Sequence, residues 1–258
     1  MQASPPTDRR FAALARLYGV TGAERIARAN VAVIGVGGVG SWAAEALARS
    51  GVARLTLIDL DHVSESNINR QIQAVLETVG QAKVLAMRDR IHSFNPDCEV
   101  SCVEEFVEPG NWPALLPLDV TAVIDACDQV RAKTAMAAWA RSSASHFIAV
   151  GAAGGKRHAH LVDIDDLSQC THDPLLAQLR YRLRKEHGAP AAGKKMGIAC
   201  VFSRESVQQP DASCEVAGDG TLNCHGYGSV VSVTATFGQC AAGWILDRIS
   251  ASPESATT

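Results

Sequence analysis

The stretch Val31-Ala32-Val33-Ile34-Gly35-Val36-Gly37-Gly38-Val39-Gly40-Ser41 decides the fold. Four consecutive apolar residues read as a strand buried on both faces. The glycines that follow allow a tight turn and a close backbone approach to phosphate. Ser41 adds a hydroxyl where a helix begins, and the free N–H groups and dipole of that end favour an anion. The helix runs to about Ser50 and stops at Gly51. A second strand, Leu55 to Ile58, ends on Asp59, 19 residues past Gly40. An acidic side chain there can accept hydrogen bonds from ribose hydroxyls. Strand, glycines, helix, strand and acid fall in order, so a purely structural glycine turn is the weaker reading.

Outward from this unit the alternation continues. The spacing predicts a helix near 81–94, stopped by Asn95-Pro96, a strand at 99–103 and another at Ala122-Val123-Ile124-Asp125. A helix over 130–142 and a strand at Phe147-Ile148-Ala149-Val150 follow. Upstream, Phe11, Leu14, Leu17 and Tyr18 form a helical pattern closing at Gly19, and a second short helix runs from about Thr21 to Ala29. The pattern is an α/β, Rossmann-like fold with a mainly parallel sheet and helices on both faces. Beyond 150 the signal loosens: a strand at 159–164, a helix at 174–187, a short strand at 199–202, a polar stretch at 203–222 and a last helix from about Ser229 to Ile249. No linker or repeat divides the chain. It reads as one domain: a helical arm over 1–30, a nucleotide-binding core over 31–150, and an irregular C-terminal extension over 151–258 for substrate and subunit contacts.

Composition bounds the rest. With 258 residues, 47% of them apolar, and a net charge of −3, the chain is an ordinary globular protein and not a histone-like basic one. Eight cysteines stand at 98, 102, 127, 170, 200, 214, 224 and 240, none in a C-x-x-C pair, so no zinc ribbon is indicated. With no apolar signal segment at the start, a cytoplasmic location is the simplest expectation. The apolar run 229–246 is interrupted by Ser229, Ser232, Thr234, Thr236 and Gln239. A buried or subunit-interface helix is the favoured reading, with peripheral membrane contact the lesser one.

The glycine motif by itself suggests a nicotinamide cofactor. Its neighbours argue otherwise. Asp61, Asn67, Arg70, Gln71 and Lys83 follow within 25 residues of Asp59, and Asp128 stands just past the fourth strand, at the sheet edge where open α/β folds bind ligands. Hydride transfer needs no Arg and Lys beside the phosphates. Cleaving a triphosphate does, because charge builds on its oxygens. Mg²⁺ needs a carboxylate oxygen, which Asp128 offers. Singly, Arg70 and Lys83 read as surface charges; as a set with Asp128 they favour an adenylating enzyme.

Gly35–Ser41, Asp59-Leu60-Asp61, Ser66–Gln71, Val79–Lys83 and Ile124–Asp128 resemble the nucleotide site of the E1-like superfamily. That superfamily includes ubiquitin-activating enzymes and the adenylyltransferases of molybdopterin and thiamine synthesis. The resemblance implies ATP·Mg²⁺ binding and adenylation of a carboxylate. Gly35, Gly37, Gly38, Gly40, Ser41, Asp61 and Gln71 would then belong to the nucleotide site. Asp59 would hold the ribose, Asn67, Arg70 and Lys83 the phosphates, and Asp128 the Mg²⁺. It also implies a homodimer in which an arginine of the N-terminal helix reaches the partner's ATP. The register puts Ala13 near that position, leaving Arg10 or Arg16 as candidates.

Within the superfamily the chain is similar to the tRNA threonylcarbamoyladenosine dehydratase branch. The carrying segments are Arg9-Arg10-Phe11, Ala15–Gly19, Gly151–Gly155, Asp173–Leu183, Gly197–Ser203, Cys224-His225-Gly226-Tyr227-Gly228 and Val233–Gly238. This branch implies ATP-dependent cyclisation of threonylcarbamoyladenosine next to the anticodon, with release of AMP and pyrophosphate. The alternative is an adenylyltransferase for a ubiquitin-like or sulfur-carrier protein, and that branch usually carries the C-x-x-C pairs lacking here. A cysteine desulfurase or sulfur-acceptor partner is left open. So is a monovalent cation, for which no side-chain cluster is evident.

Two features remain. Cys224 reads either as a covalent acyl acceptor or as a packing residue. Arg180, Arg182, Arg184, Lys185, Lys194 and Lys195 concentrate six positive charges against one acid, Glu186, over 180–195. On an acidic chain this favours a tRNA phosphate contact, and Lys156, Arg157 and His158 are candidates to extend it.

Overall fold

The computed structural model describes residues 8–211 and 227–251. A single seven-stranded sheet runs through it, in the order β3-β2-β1-β4-β5-β7-β6. Its strands are β1 (Asn30–Ile34), β2 (Arg54–Ile58), β3 (Glu99–Val103), β4 (Ala122–Asp125), β5 (His146–Val150), β6 (Val162–Asp166) and β7 (Ala199–Ser203). All neighbours pair in parallel except β6 with β7. β1 is buried at every residue. That is the pattern of a strand with helices over both faces.

One face carries α1 (Ala12–Arg28), α2 (Gly40–Arg49), α3 (Lys83–His92) and the C-terminal helix α6 (Val231–Ala251); the other carries α4 (Val130–Ala140) and α5 (Pro174–Glu186). α1 is two helical pieces joined at Gly19, whose φ of 75° breaks the helix where the sequence predicts a stop. α5 starts as expected: Asp173 Oδ1 accepts the Leu176 N–H at 2.9 Å, and Pro174 takes the first helical position. Its buried face is Leu175, Leu176, Leu179 and Leu183.

Two expected elements shift. The strand predicted at 159–164 lies at Val162–Asp166, because Ala159–Leu161 form a 3-10 turn first. It is also the antiparallel edge strand. The last helix starts at Val231, and its apolar residues Val233, Phe237, Ala241, Ala242, Ile245 and Ile249 are buried in the chain's own core, the first of the two alternatives in the favoured reading. No described helix is long and apolar enough to cross a membrane. Of the polar stretch at 203–222, Ser203 ends β7 and residues 204–211 form no helix or strand.

Candidate functional site

The carboxyl ends of β1, β2, β4 and β5 open into one cavity of about 340 Å³. A ligand site at that edge is what a doubly wound sheet provides. Gly35, Gly37 and Gly38 form one wall, at the start of α2. Asp59, Asp61, Arg70, Gln71 and Lys83 form a second, and Asp128 belongs to the turn after β4, the strand beside β1. The crossover between β2 and α3 folds back over α2, which brings residues about 30 apart in sequence into one wall. Trp42 Nε1 donates to the Arg70 carbonyl at 2.9 Å, and Gln73 Nε2 donates to the Val36 carbonyl at 2.9 Å.

Asp59 is 8% exposed and does two jobs. Its Oδ2 accepts the Val36 N–H at 2.6 Å and its Oδ1 the Asp61 N–H at 2.9 Å, so the acid shapes the glycine turn as well as facing the cavity. Burial pushes its carboxyl up, while the Lys83 ammonium and these backbone N–H groups pull it down. Lys83 Nζ lies 2.6 Å from Asp61 Oδ2. Arg70 Nη1 donates to the Ser66 carbonyl at 2.8 Å and to Asn69 Oδ1 at 2.9 Å. Both cations are therefore oriented before any phosphate arrives, which is how a site stabilises developing charge without reorganising. Asp128 stands exposed in the cavity wall, a carboxylate available to a ligand.

Three expected site residues stand behind the wall rather than in it. Asn67 is buried, and its Oδ1 accepts the Ser64 N–H at 3.1 Å, so it shapes the turn before Arg70. Ser41 is fully buried, with its Oγ 3.4 Å from the Ile72 N–H it accepts. Gly40 lies under the loop against Gly35. Other wall residues escaped the sequence reading. Glu105, Phe106 and Val107 follow β3, Gln129 and Ala132 follow Asp128, and Leu175 and Thr234 start two helices. Position just past a parallel strand was the available signal for the first group. Cys127 lines the cavity too, its thiol donating to Asp125 Oδ1 at 3.1 Å, and burial pushes that thiol up. Cys224 lies outside the described residues.

The basic segment is partly committed to the fold. Arg180 Nη1 donates to the carbonyls of Leu167 and Cys170, each at 3.0 Å, and Arg184 Nε to Pro190 O at 3.0 Å. Arg182 pairs with Glu186 at 3.6 Å. Lys185 sits 5.6 Å over the exposed Tyr181 ring, and Lys194 and Lys195 are exposed. A groove of about 350 Å³ runs between Ala177, Arg180, Tyr181, Arg184 and Lys185. Lys156 does not extend this surface: it is 2% exposed, with Nζ donating to His172 O at 2.9 Å and to Glu205 O at 2.6 Å. Arg10 is likewise occupied, pairing with Asp8 and Asp97, whereas Arg16 is exposed.

Likeness to known proteins runs over nearly the whole chain. The tRNA threonylcarbamoyladenosine dehydratase of Escherichia coli strain K12 is 41% identical over 251 residues, covering 94% of each chain. A crystal structure of the E. coli tRNA N6-threonylcarbamoyladenosine dehydratase in complex with ATP superposes with a TM-score of 0.86, at 39% identity, over 96% of this chain and 98% of that one. The E. coli molybdopterin-synthase adenylyltransferase is 36% identical, but over only 45% of this chain and 46% of its own. The ThiF family model matches residues 8–258, and the chain belongs to that family.

Proposed function

We propose that the protein is an ATP-dependent tRNA dehydratase that cyclises N6-threonylcarbamoyladenosine. The carrying observation is that likeness to the dehydratase runs through 94% of the chain, whereas likeness to a sulfur-carrier adenylyltransferase stops at 45% of it. The second half of the chain supplies Gly151–Gly154, Leu175 and Thr234 to the cavity and carries the basic helix.

The chemistry follows from the wall residues. The threonyl carboxylate is a poor electrophile. Its oxygen attacks the α-phosphorus of ATP, the bond to the β-phosphate breaks, and pyrophosphate leaves. A nucleophile of the same side chain then attacks the acyl carbon, and AMP departs with the carboxyl oxygen. The net loss is one water. Asp59 holds the ribose, and the amides at the start of α2 face the phosphates. Arg70 and Lys83 neutralise the leaving charge, Lys83 being aligned by Asp61. Mg²⁺ takes one or two carboxylates plus substrate phosphate oxygens rather than a full protein cage. One exposed carboxylate, Asp128, facing the glycine turn fits that preference, and no cluster of three ligating residues exists among the described ones. When bound there, the ion would spread the charge of the triphosphate. The enzyme's own work is orientation and exclusion of water.

The exposed apolar side chains of Leu17 and Val20 on α1, with Leu76 in the crossover, support a homodimer. Arg16 is then the better candidate to reach the partner's ATP. In the cytoplasm the substrate tRNA is at hand. The deciding experiment is mass spectrometry of nucleosides from threonylcarbamoylated tRNA treated with protein and ATP. The nucleoside is expected lighter by one water, and pyrophosphate release should require the modified tRNA. Release prompted instead by a carrier protein ending in Gly-Gly, with no change in the tRNA, would establish the alternative.

The tRNA footprint comprises Arg180, Arg182, Arg184, Lys185, Lys194 and Lys195, with the two exposed lysines the clean test. Lys194→Gln/Lys195→Gln should weaken tRNA binding and lower its salt slope by roughly one unit per lost phosphate contact. ATP affinity should be unchanged. An unaltered slope assigns these lysines to solvent.

A further inference from the structure

Lys133 and Asp125 are both 0% exposed. Lys133 lies on α4, one turn inside, among Ala132, Thr134, Met136 and Ala137, all buried. Asp125 is the last residue of β4. Lys133 Nζ stands 2.8 Å from Asp125 Oδ2 and donates to the Asp125 carbonyl at 3.3 Å. The other carboxylate oxygen is used as well. Asp125 Oδ1 accepts the Cys127 N–H at 3.2 Å and the Cys127 thiol at 3.1 Å. One side chain thus gathers the whole turn between β4 and α4, and the next residue in that turn is Asp128.

Stability does not explain the pair. Taking two charges out of water costs more than a well-packed apolar pair of similar volume, and such replacements are often neutral or stabilising. Burial alone would favour a neutral amine at Lys133; the Asp125 carboxylate opposes this and holds the amine above the usual lysine range. The pair lies at the root of a turn that lines the cavity. Asp128 itself is exposed and reaches the cavity wall through backbone alone, so its carboxylate is only as well placed as the turn that carries it. The neighbouring loop, after β5, has a comparable anchor. Asp173, 5% exposed, accepts the Ala152 N–H at 2.8 Å while capping α5, and it feels the Lys133 charge through space.

We infer that the buried Lys133–Asp125 pair is a positioning device that fixes the β4–α4 turn and thereby sets Asp128 against the phosphates of the nucleotide. Lys133 and Asp125 touch no substrate; they act through the turn. The inference rests on the adenylating reading of the cavity.

The test is the charge-free double variant Lys133→Met/Asp125→Asn in the full chain, compared with the wild type. Stability is expected to stay near wild type, because the two buried charges leave together. ATP affinity without Mg²⁺ should also stay near wild type, since the glycine turn and Asp59 are untouched. The gain in ATP affinity on adding Mg²⁺, read by titration calorimetry, should be largely lost. The pyrophosphate release rate at saturating ATP and modified tRNA should fall by roughly 10²-fold, the order seen when a reacting group moves by about 1 Å. A folded double variant with wild-type Mg²⁺ gain and wild-type rate overturns the inference. If the double variant does not fold, Cys127→Ala loosens the same turn without touching either charge. It should raise the Mg²⁺ concentration for half-maximal rate several-fold, and an unchanged Mg²⁺ requirement overturns the inference. A wild-type protein that shows neither Mg²⁺-dependent ATP binding nor pyrophosphate release refutes the adenylating reading itself, a different result from either of these.

Discussion

Asp128→Ala is expected to lower ATP-dependent pyrophosphate release on the order of 10³-fold while leaving the melting temperature of the protein unchanged. The first half follows from charge. Removing one preorganised group that acts on a transferring phosphoryl centre costs about 10²- to 10³-fold. Asp128 is the exposed carboxylate of the turn after β4, beside the glycine turn. Asp59, Asp61 and Glu105 also line the cavity, but Asp59 is spent on the Val36 and Asp61 N–H groups, Asp61 on Lys83, and Glu105 follows β3 at the sheet edge, two strands from β1. The second half follows from position. An exposed side chain buries little apolar surface, and surface substitutions away from caps and buried networks shift stability by about 0.5 kcal/mol or less. Rate and melting temperature should therefore separate in one variant. Asp128→Asn keeps the shape and an oxygen but loses the charge, and should resemble Asp128→Ala in rate. A variant that keeps a tenth or more of the wild-type rate would falsify the assignment.

How far the sequence reaches depends on what kind of information each residue carries. β1, the glycine turn and α2 were legible because apolar run, glycines and helix are local signals. The alternation predicts a parallel sheet, but the order β2-β1-β4-β5 comes from pairing between distant segments. The antiparallel β6 was not legible. Its direction is set by pairing with β7, about 40 residues on, and Val162 opposite Ser203 is a register no local pattern encodes. The same limit governs the site. Asp59, Arg70, Lys83 and Asp128 have a type that suits their chemistry, and the fold brings them to one cavity. Asn67 and Ser41 have equally suitable types, yet their oxygens accept backbone N–H groups. A polar residue type does not say whether it faces a ligand or its own main chain. Arg180 and Arg184 show the same ambiguity on the basic helix. Lys133 was missed for the opposite reason. A lysine on a helix reads as solvated, and only its run of small apolar neighbours, eight residues past the acid that ends β4, hinted at burial.

Gly40 and Gly37 should separate cleanly on substitution, although both belong to one motif. A Cβ on Gly40 would lie 1.8 Å from the Gly35 carbonyl oxygen and 3.0 Å from its carbon. Those are backbone atoms of a turn fixed by the Gly35 N–H bond to Ile58 O at 2.9 Å, so nothing nearby can swing aside. Overpacking of this kind costs about 3 kcal/mol or more when the obstacle cannot relax. For a chain of this size that lowers the melting temperature by roughly 6–12 °C. Gly40→Ala is therefore expected to be destabilised with or without nucleotide. Gly37 differs. A Cβ there meets no atom within 4 Å, because its side of the backbone opens into the cavity. Gly37→Ala should melt with the wild type. Its methyl group would instead occupy the space through which a phosphate approaches the turn, the role that the middle glycine of such a motif serves. ATP affinity should fall at least about tenfold, equivalent to about 1.4 kcal/mol. Thermal melting with and without ATP reads both effects at once. The wild type should gain stability with ATP, Gly37→Ala should start equal and gain less, and Gly40→Ala should start low. A Gly37→Ala protein with a full ATP-induced shift would move the triphosphate away from this turn. It would also remove the main reason for reading the cavity as a nucleotide site.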